Sequence, residues 1–106
     1  MFIAYEVSLE AVSCLRRIVD LIAARDASLA DQLRRCGSSM PHNLAEGRRR
    51  RGKDRTYLYR CASGSAAEAL AALDVAIAWG YCEPEPLAEA RAVLDRLLGL
   101  LWPLTK

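Results

Sequence analysis

Four consecutive arginines are the residues in this sequence whose possible chemistry is easiest to define. They are Arg48 to Arg51, and they lie between Gly47 and Gly52 in the stretch NLAEGRRRRGKDR. Guanidinium groups bind phosphate oxygens through paired hydrogen bonds, so the run favours a polyanionic partner such as RNA or DNA. The competing interpretation is a solvated helix end whose charges have no ligand. Both interpretations stay open from the sequence alone.

The positive charge is concentrated in one segment. The formal net charge is only +2, yet the stretch from Arg34 to Arg60 holds nine basic side chains and two acidic ones. Such asymmetry is typical of proteins that bind polyanions. The side chains that we expect to contact nucleic acid are Arg34, Arg35, Arg48, Arg49, Arg50, Arg51, Lys53 and Arg55.

Helical geometry limits where this run can lie. Four successive residues of an α-helix fan around most of its circumference, so all four arginines cannot share one exposed face. We therefore expect them at a helix end or in a loop. Arg34 and Arg35 precede the run by more than three helical turns and extend it only if they share its face. Tyr57 and Tyr59 follow the run and could stack bases, although tyrosines in the first turns of a helix more often pack or hydrogen-bond.

Two spacings that resemble enzyme motifs lack the necessary context. Residues 47 to 53 have the GxxxxGK spacing of a phosphate-binding loop, but Asp54 replaces the magnesium-binding hydroxyl and no strand precedes it. Cys36 and His42 are residue types of thiol proteases, but nothing indicates an oxyanion hole or cleft beside them. The four cysteines have no CxxC spacing, which argues against a metal site. We expect no enzymatic activity, no cofactor and no metal.

Several polar residues lie beside apolar ones, and a structural role is their preferred interpretation. We predict a buried polar network, in which Glu46 or Glu68 pairs with Arg35 or Arg60. Asn43 is expected to fix the backbone near the proline that precedes it. The alternative is that these residues form a functional site. The network comprises Asn43, Glu46, Arg60 and Glu68.

Length and composition predict one compact domain over residues 1–106. Of the 106 residues, 53% are apolar and 26% are charged, which is typical of a folded globular chain. The first residues do not resemble a signal peptide, and no apolar run approaches the roughly 18 residues that span a bilayer. We expect a soluble, cytoplasmic protein that does not bind a membrane. Its four cysteines are expected to stay reduced and mostly buried.

Helical periodicity predicts an all-α fold, an antiparallel up-and-down four-helix bundle. The first helix should run from Val7 to about Arg25, and a capping box of Ser28 and Asp31 should start the second. The second helix is expected to kink near residues 36 to 38, before Pro41, then to resume and end within residues 47 to 52.

The third helix, with Asp54 as its N-cap, is predicted from Arg55 to Trp79, before Gly80. The fourth starts at residues 83 to 86 and ends at Pro103.

The third helix is apolar almost all round, which predicts contact with another copy of the chain. Between residues 66 and 79 only Glu68 and Asp74 are polar. A helix of this kind must be covered on more than one side, so we predict a homo-oligomer. Trp79 and Trp102 are candidate anchors of the interface. The alternative is a tightly packed monomer with an alanine-rich central helix.

The order of the motifs QLRRCGSSMPHNLAEGRRRR, ASGSAAEAL and WGY resembles that of a known family over about residues 5 to 102. This is the four-helix-bundle family of 23S rRNA intervening-sequence proteins, which is similar to the accessory variability determinants of diversity-generating retroelements. The chain departs from the family pattern at Arg48 and Arg49, where an aromatic residue and a glycine are common. The matching positions are Gln32, Leu33, Arg34, Arg35, Ser39, Pro41, Asn43, Ala45, Glu46, Gly47, Arg50, Arg51, Gly64, Ser65 and Glu68.

The resemblance implies a barrel-like homopentamer without enzymatic activity. In the retroelement branch it implies binding to a reverse transcriptase and to RNA. A scaffold that binds only proteins is the alternative function.

Overall fold

The computed structural model describes residues 1 to 106 and contains four α-helices and no strand. The all-α prediction is confirmed. Two short 3₁₀ turns flank the last helix. The helices are α1 (Ile3–Ala23), α2 (Ala27–Arg48), α3 (Gly52–Ala78) and α4 (Ala88–Leu101), and the 3₁₀ turns are Glu85–Leu87 and Trp102–Leu104.

The helices form an antiparallel up-and-down bundle in which each helix packs against two neighbours. Both α2 and α4 contact α1 and α3, so α1 and α3 lie on opposite corners. The short connections reverse the chain three times, and the molecule measures 43 × 22 × 20 Å. The end that holds the α2–α3 connection is called the basic end below, and the opposite end is called the distal end.

Each end of the bundle is closed by contacts between segments that are distant in sequence. At the basic end the ring centroids of Phe2 and Tyr59 are 5.7 Å apart. Arg60 on α3 also donates from Nε to the carbonyl oxygen of Thr105 at 2.7 Å. At the distal end the hydroxyl of Tyr81 donates to Asp26 Oδ2 at 3.2 Å. Both chain termini therefore lie at the basic end.

The core side of α1 follows from its apolar spacing, with one exception. Leu15, Ile18 and Ile22 are buried, as the spacing predicts. Leu21 is instead 50% exposed. Successive residues of a helix are about 100° apart, so the residue just before Ile22 is turned away from the core that Ile22 faces.

The helix starts differ from the prediction: α1 begins at Ile3, not Val7, and α4 begins at Ala88, after a 3₁₀ turn. The caps of α2 and α3 also differ. Asp26, not Ser28, is the N-cap of α2, and its Oδ1 accepts the backbone N–H of Leu29 at 3.0 Å. Ser28 already lies inside the first turn, where its hydroxyl cannot cap the helix. For the same reason Asp54 does not cap α3, because that helix begins at Gly52. Asp54 instead places a negative charge in the first turn, where it suits the positive end of the helix dipole.

Pro41 is buried inside α2 and does not end the helix. The helix continues without interruption from Ala27 to Arg48, so it is not broken at residues 36 to 38, where we predicted a kink. Proline lacks the N–H that the carbonyl of Gly37 would otherwise accept. The continuation of the helix beyond Pro41 agrees with the prediction.

Gly80 ends α3 as predicted, through a backbone conformation that glycine adopts readily. Its φ is +78°, in the left-handed region. The N–H of Tyr81 donates to the carbonyl of Ala76, and the N–H of Gly80 donates to that of Ile77, both at 2.9 Å. This pair of bonds is a Schellman motif, which satisfies carbonyls that a helix end leaves free.

One side of α3 packs into the bundle and the other is open. The buried side consists mainly of small residues, among them Ala62, Ala66 and Ala69. On the open side Val75 is 41% exposed and Trp79 is 69% exposed. By length and composition α3 is also the one helix that could cross a membrane. The outer α3 face, as it is called below, consists of Ala67, Ala71, Val75, Ala78 and Trp79, with the exposed carboxylates of Glu68 and Asp74 beside them.

Candidate nucleic-acid interface

The basic loop, residues 48 to 55, comprises the last residue of α2, the α2–α3 connection and the first turn of α3 at the basic end. Arg49 is the C-cap of α2, and the N–H of Arg50 donates to the carbonyl of Gly47 at 3.0 Å. Arg51 is extended, and Gly52 follows it with a φ of +57°. The run thus begins at the last residue of α2 and continues past its end, and all four arginines are exposed. They could not all be exposed inside a helix that packs in the bundle. Their predicted placement at a helix end is confirmed.

Gly47 allows the end of α2 to approach the start of α3. A Cβ at this position would lie 2.7 Å and 2.9 Å from two ring carbons of Tyr59 and 3.2 Å from Leu58 Cβ. Tyr59 is buried and packs against Phe2. No larger residue fits here without moving that ring, so Gly47 fixes where the basic loop begins.

Arg55 joins the two helices that the basic loop connects. Its Nε donates to the carbonyl of Gly47 at 3.2 Å, and its Nη2 donates to the carbonyl of Arg48 at 2.9 Å. These carbonyls belong to the last turn of α2, where backbone acceptors lack helical partners and a cation is favourable. Part of the guanidinium that we expected to bind phosphate is therefore occupied within the chain.

The other cations of the basic loop differ in the contacts that they form within the chain. The Arg48 guanidinium lies 5.5 Å from the centroid of the Phe2 ring, a cation–π distance. Arg50 pairs through Nε with Glu46 Oε2 at 2.9 Å. The remaining three are exposed and form no ion pair with a carboxylate; they are Arg49, Arg51 and Lys53. The loop therefore presents three uncompensated positive charges to solvent.

Arg34 and Arg35 lie away from the basic loop. Arg35 and Arg48 are thirteen positions apart, which corresponds to about 20 Å along α2. Arg34 pairs with Asp31 at 2.9 Å and lines the groove between α1 and α2. Arg35 lines the groove between α2 and α3 instead. The structure does not bring these two predicted site residues together with the arginine run.

The predicted role of Asn43 agrees with the structure. Its Nδ2 donates to the carbonyl oxygen of Ser39 at 2.9 Å and to the hydroxyl oxygen of the same residue at 2.8 Å. Ser65 on α3 also donates to that hydroxyl, at 2.9 Å. Asn43 therefore fixes the backbone beside Pro41, and through Ser39 the contact extends from α2 to α3.

The other three members of the predicted polar network do not pair as expected. Glu46 pairs with Arg50, which lies four positions further along the chain, just past the C-cap of α2. Arg60 donates to a carbonyl near the C-terminus, as described above. Glu68 is exposed and accepts the thiol of Cys36 at 3.3 Å. Each of the three faces a different neighbour, so no shared buried network forms.

Two thiols of this chain, those of Cys36 and Cys14, are poor nucleophiles. Burial, followed by a hydrogen bond to Glu68, raises the pKa of Cys36 to about 11. Burial and a hydrogen bond to Glu89 likewise raise the pKa of Cys14 to about 11. All four cysteines are free, and Cys36 is buried while the other three are half-buried. The thiolate is the reactive form, and the raised pKa values keep Cys36 and Cys14 protonated at neutral pH.

Residues near both termini lie at the basic end, although no sequence motif marked them. Phe2 packs under Arg48, and Thr105 accepts from Arg60. The signal was present, because four antiparallel helices place both termini at the same end as the α2–α3 connection. Of the two tyrosines beside the arginine run, Tyr59 is buried and Tyr57 is 65% exposed.

The fold and this interface define a class of small all-α proteins, four-helix bundles with a basic helix connection. The family model described as 23S rRNA-intervening sequence protein matches residues 2–102, so the chain belongs to that family.

A solved crystal structure has the same fold. It is that of a protein of unknown function from the S23 ribosomal protein family of Bacteroides thetaiotaomicron. The TM-score is 0.87 at 19% identity, and the match covers 97% of this chain and 98% of the other. Among curated proteins the search finds no match.

Proposed function

We propose that this protein is a non-enzymatic accessory protein that binds the phosphate backbone of RNA or DNA through the basic loop. The observation that carries the proposal is the group of three exposed cations, Arg49, Arg51 and Lys53, which no carboxylate compensates. Their charges are available to an external anion, whereas Arg50 already pairs with Glu46.

Binding of this kind depends on the charge of the nucleic acid and not on its base sequence. Contacts to phosphate position a nucleic acid but carry no base information. They release counterions, so the logarithm of the binding constant falls by about 0.7 per contact for each decade of salt on a single strand. We therefore expect low sequence specificity and a steep salt dependence.

We further propose that the protein acts as a homo-oligomer, with a ring of five as the specific form that its family resemblance favours. The outer α3 face supports this proposal because Val75 and Trp79 expose apolar surface that a second copy would cover. A ring would repeat the basic loop in one band. Repetition would strengthen the weak attraction of a single loop for a polyanion.

The salt dependence of RNA binding tests the role of the basic loop. The double variant Arg49→Gln/Arg51→Gln should bind a single-stranded RNA more weakly, and its salt slope should be smaller by about 1.4 if each arginine contacts one phosphate. The matched control is Arg16→Gln/Arg17→Gln, which removes the same charge from exposed positions of α1. Equal affinity and equal slope for the two double variants would refute the proposal.

Light scattering at micromolar concentration tests the oligomer. The wild type should exceed the monomer mass of 11.7 kDa, and Val75→Glu should reduce the mass because it places a charge on the outer α3 face. Ala92→Glu on the exposed side of α4 is the control. A wild-type protein that stays monomeric would remove this part of the proposal.

A protein-interaction scaffold is the second candidate function, and the outer α3 face favours it. An apolar surface of this kind can hold a different protein as well as a second copy. The similarity to accessory variability determinants makes a reverse transcriptase a candidate partner. Pull-down from the native host at moderate salt, with and without nuclease, separates the candidates, since a scaffold keeps its partner after nuclease treatment.

A further inference from the structure

Two aromatic side chains at the basic end are open to solvent. Tyr57 on α3 and Trp102 after α4 are each 65% exposed. Neither forms an aromatic pair, in contrast to Tyr59, which packs against Phe2. Exposed aromatic rings beside positive charges are the elements of a surface that stacks bases and binds phosphates.

Tyr57 lies next to the basic loop on the same helix face as Lys53. The two residues are four positions apart in α3, so their side chains are neighbours on the helix surface. A hydrogen bond with Cys61, one turn further along, raises the pKa of Tyr57. The phenol is therefore neutral at physiological pH and adds no negative charge to the basic end.

Trp102 is held at the same end by the C-terminal turn. Its carbonyl accepts the hydroxyl of Thr105 at 2.9 Å, and the carbonyl of Thr105 accepts Arg60 Nε at 2.7 Å. Arg60 lies three positions after Tyr57 on α3, so this contact connects the two aromatic positions. Lys106 Nζ lies 5.0 Å from the centroid of the Trp102 ring, which places a further cation beside it.

We propose that Tyr57 and Trp102 stack unpaired bases while the basic loop binds the adjoining phosphates. The ligand is then single-stranded RNA or DNA, because the base faces of a duplex are already covered by stacking within the helix. This inference rests on the proposed function and specifies its substrate class. Charge complementarity points to nucleic acid as the occupant of these rings, since Lys53 lies one turn from Tyr57 on α3 and Lys106 lies beside the Trp102 ring.

Tryptophan fluorescence reports on stacking directly, because the chain has one tryptophan at each end. Trp79→Phe leaves Trp102 as the only emitter, and its emission should be quenched as poly(U) is added. Polyphosphate carries the phosphate charge without bases, so it should compete with RNA without quenching Trp102. The control variant is Trp102→Phe, whose remaining Trp79 stacks with Tyr81 at the distal end and should not respond.

Affinity measurements give a second readout. Tyr57→Ala and Trp102→Ala should each weaken binding of a single-stranded oligonucleotide by about fivefold to a hundredfold, the range for loss of one base-stacking contact. Their salt slopes should match the wild type because no phosphate contact is lost. A duplex of the same sequence should bind with equal affinity to the wild type and to both variants. RNA and DNA strands are compared to identify which one is preferred.

The possible failures are distinguishable. If neither single strands nor duplexes bind, the proposed function itself fails. This inference alone fails if single strands bind with the expected salt slope but do not quench Trp102. It also fails if the wild-type protein binds duplexes as tightly as single strands. A blue-shifted Trp102 emission that depends on protein concentration before any RNA is added would assign the ring to contact between copies, which also overturns the inference.

Discussion

Replacement of Gly47 by alanine tests how α2 and α3 position the basic loop. The added Cβ would lie 2.7 Å and 2.9 Å from ring carbons of Tyr59 and 3.2 Å from Leu58 Cβ. Helix propensity alone favours alanine over glycine by about 1 kcal/mol. Overpacking of a closed site typically costs about 1–3 kcal/mol. Tyr59 is only 7% exposed and is held by Phe2, so we expect the clash to outweigh the propensity.

The expected net change is a loss of up to about 2 kcal/mol in the free energy of unfolding, which is the packing cost less the gain in helix propensity. Thermal unfolding followed by circular dichroism, at one fixed protein concentration, measures it. Each kcal/mol should lower Tm by roughly 4–8 °C for a chain of this size.

The matched control is Gly99→Ala in α4, where a Cβ meets no atom within 4 Å. Alanine there should raise stability by about 0.4–1 kcal/mol. In a Tyr59→Ala background the cost of Gly47→Ala should shrink, because the ring that it meets is gone. A Gly47→Ala protein as stable as the Gly99→Ala control would refute the close contact.

Two further predictions concern the cap of α2 and the buried thiol. Asp26→Ala should lower the free energy of unfolding by about 0.5–2 kcal/mol in urea titrations, since it removes the N-cap acceptor, while Ser28→Ala should change it by less than about 0.5 kcal/mol. The reverse order would restore Ser28 as the cap. At pH 9 native Cys36 should alkylate about 50-fold more slowly than in the unfolded chain, because a pKa of about 11 against the ordinary 9.0 leaves far less thiolate. The unfolded thiol ionises first, so stability should also fall as the pH rises from about 9 to about 11. Equal alkylation rates in the two states would contradict the raised pKa.

Apolar spacing and helical geometry were sufficient to predict that there are four helices and that the arginine run lies at a helix end. Apolar spacing predicted four helices, and Gly80 correctly marked the end of α3. The run of four arginines could not share one helix face, which predicted its position at a helix end. These inferences depend only on backbone geometry and on neighbours a few residues away.

Cap choice and polar pairing depended on contacts that a single sequence does not contain. Aspartate and serine are both good N-cap residues, but Asp26 also accepts the hydroxyl of Tyr81, which lies in the α3–α4 connection. Glu68 and Arg60 lie on the same helix, eight positions or about 12 Å apart, so no rotation of α3 could bring them together. Packing of the C-terminal turn against α3 places Arg60 on the carbonyl of Thr105. Tertiary packing decides such pairings.

The hydrogen bonds around Ser39 constrain how this family can diverge. One hydroxyl accepts from both Asn43 and Ser65, so its loss would remove one hydrogen bond from each of two helices, while Asn43 would keep its bond to the carbonyl of Ser39. A change at any one of the three positions alters what the other two can tolerate. Relatives with alanine in place of Ser39 should therefore also have replaced the asparagine or the second serine, and the three positions should change together across the family tree.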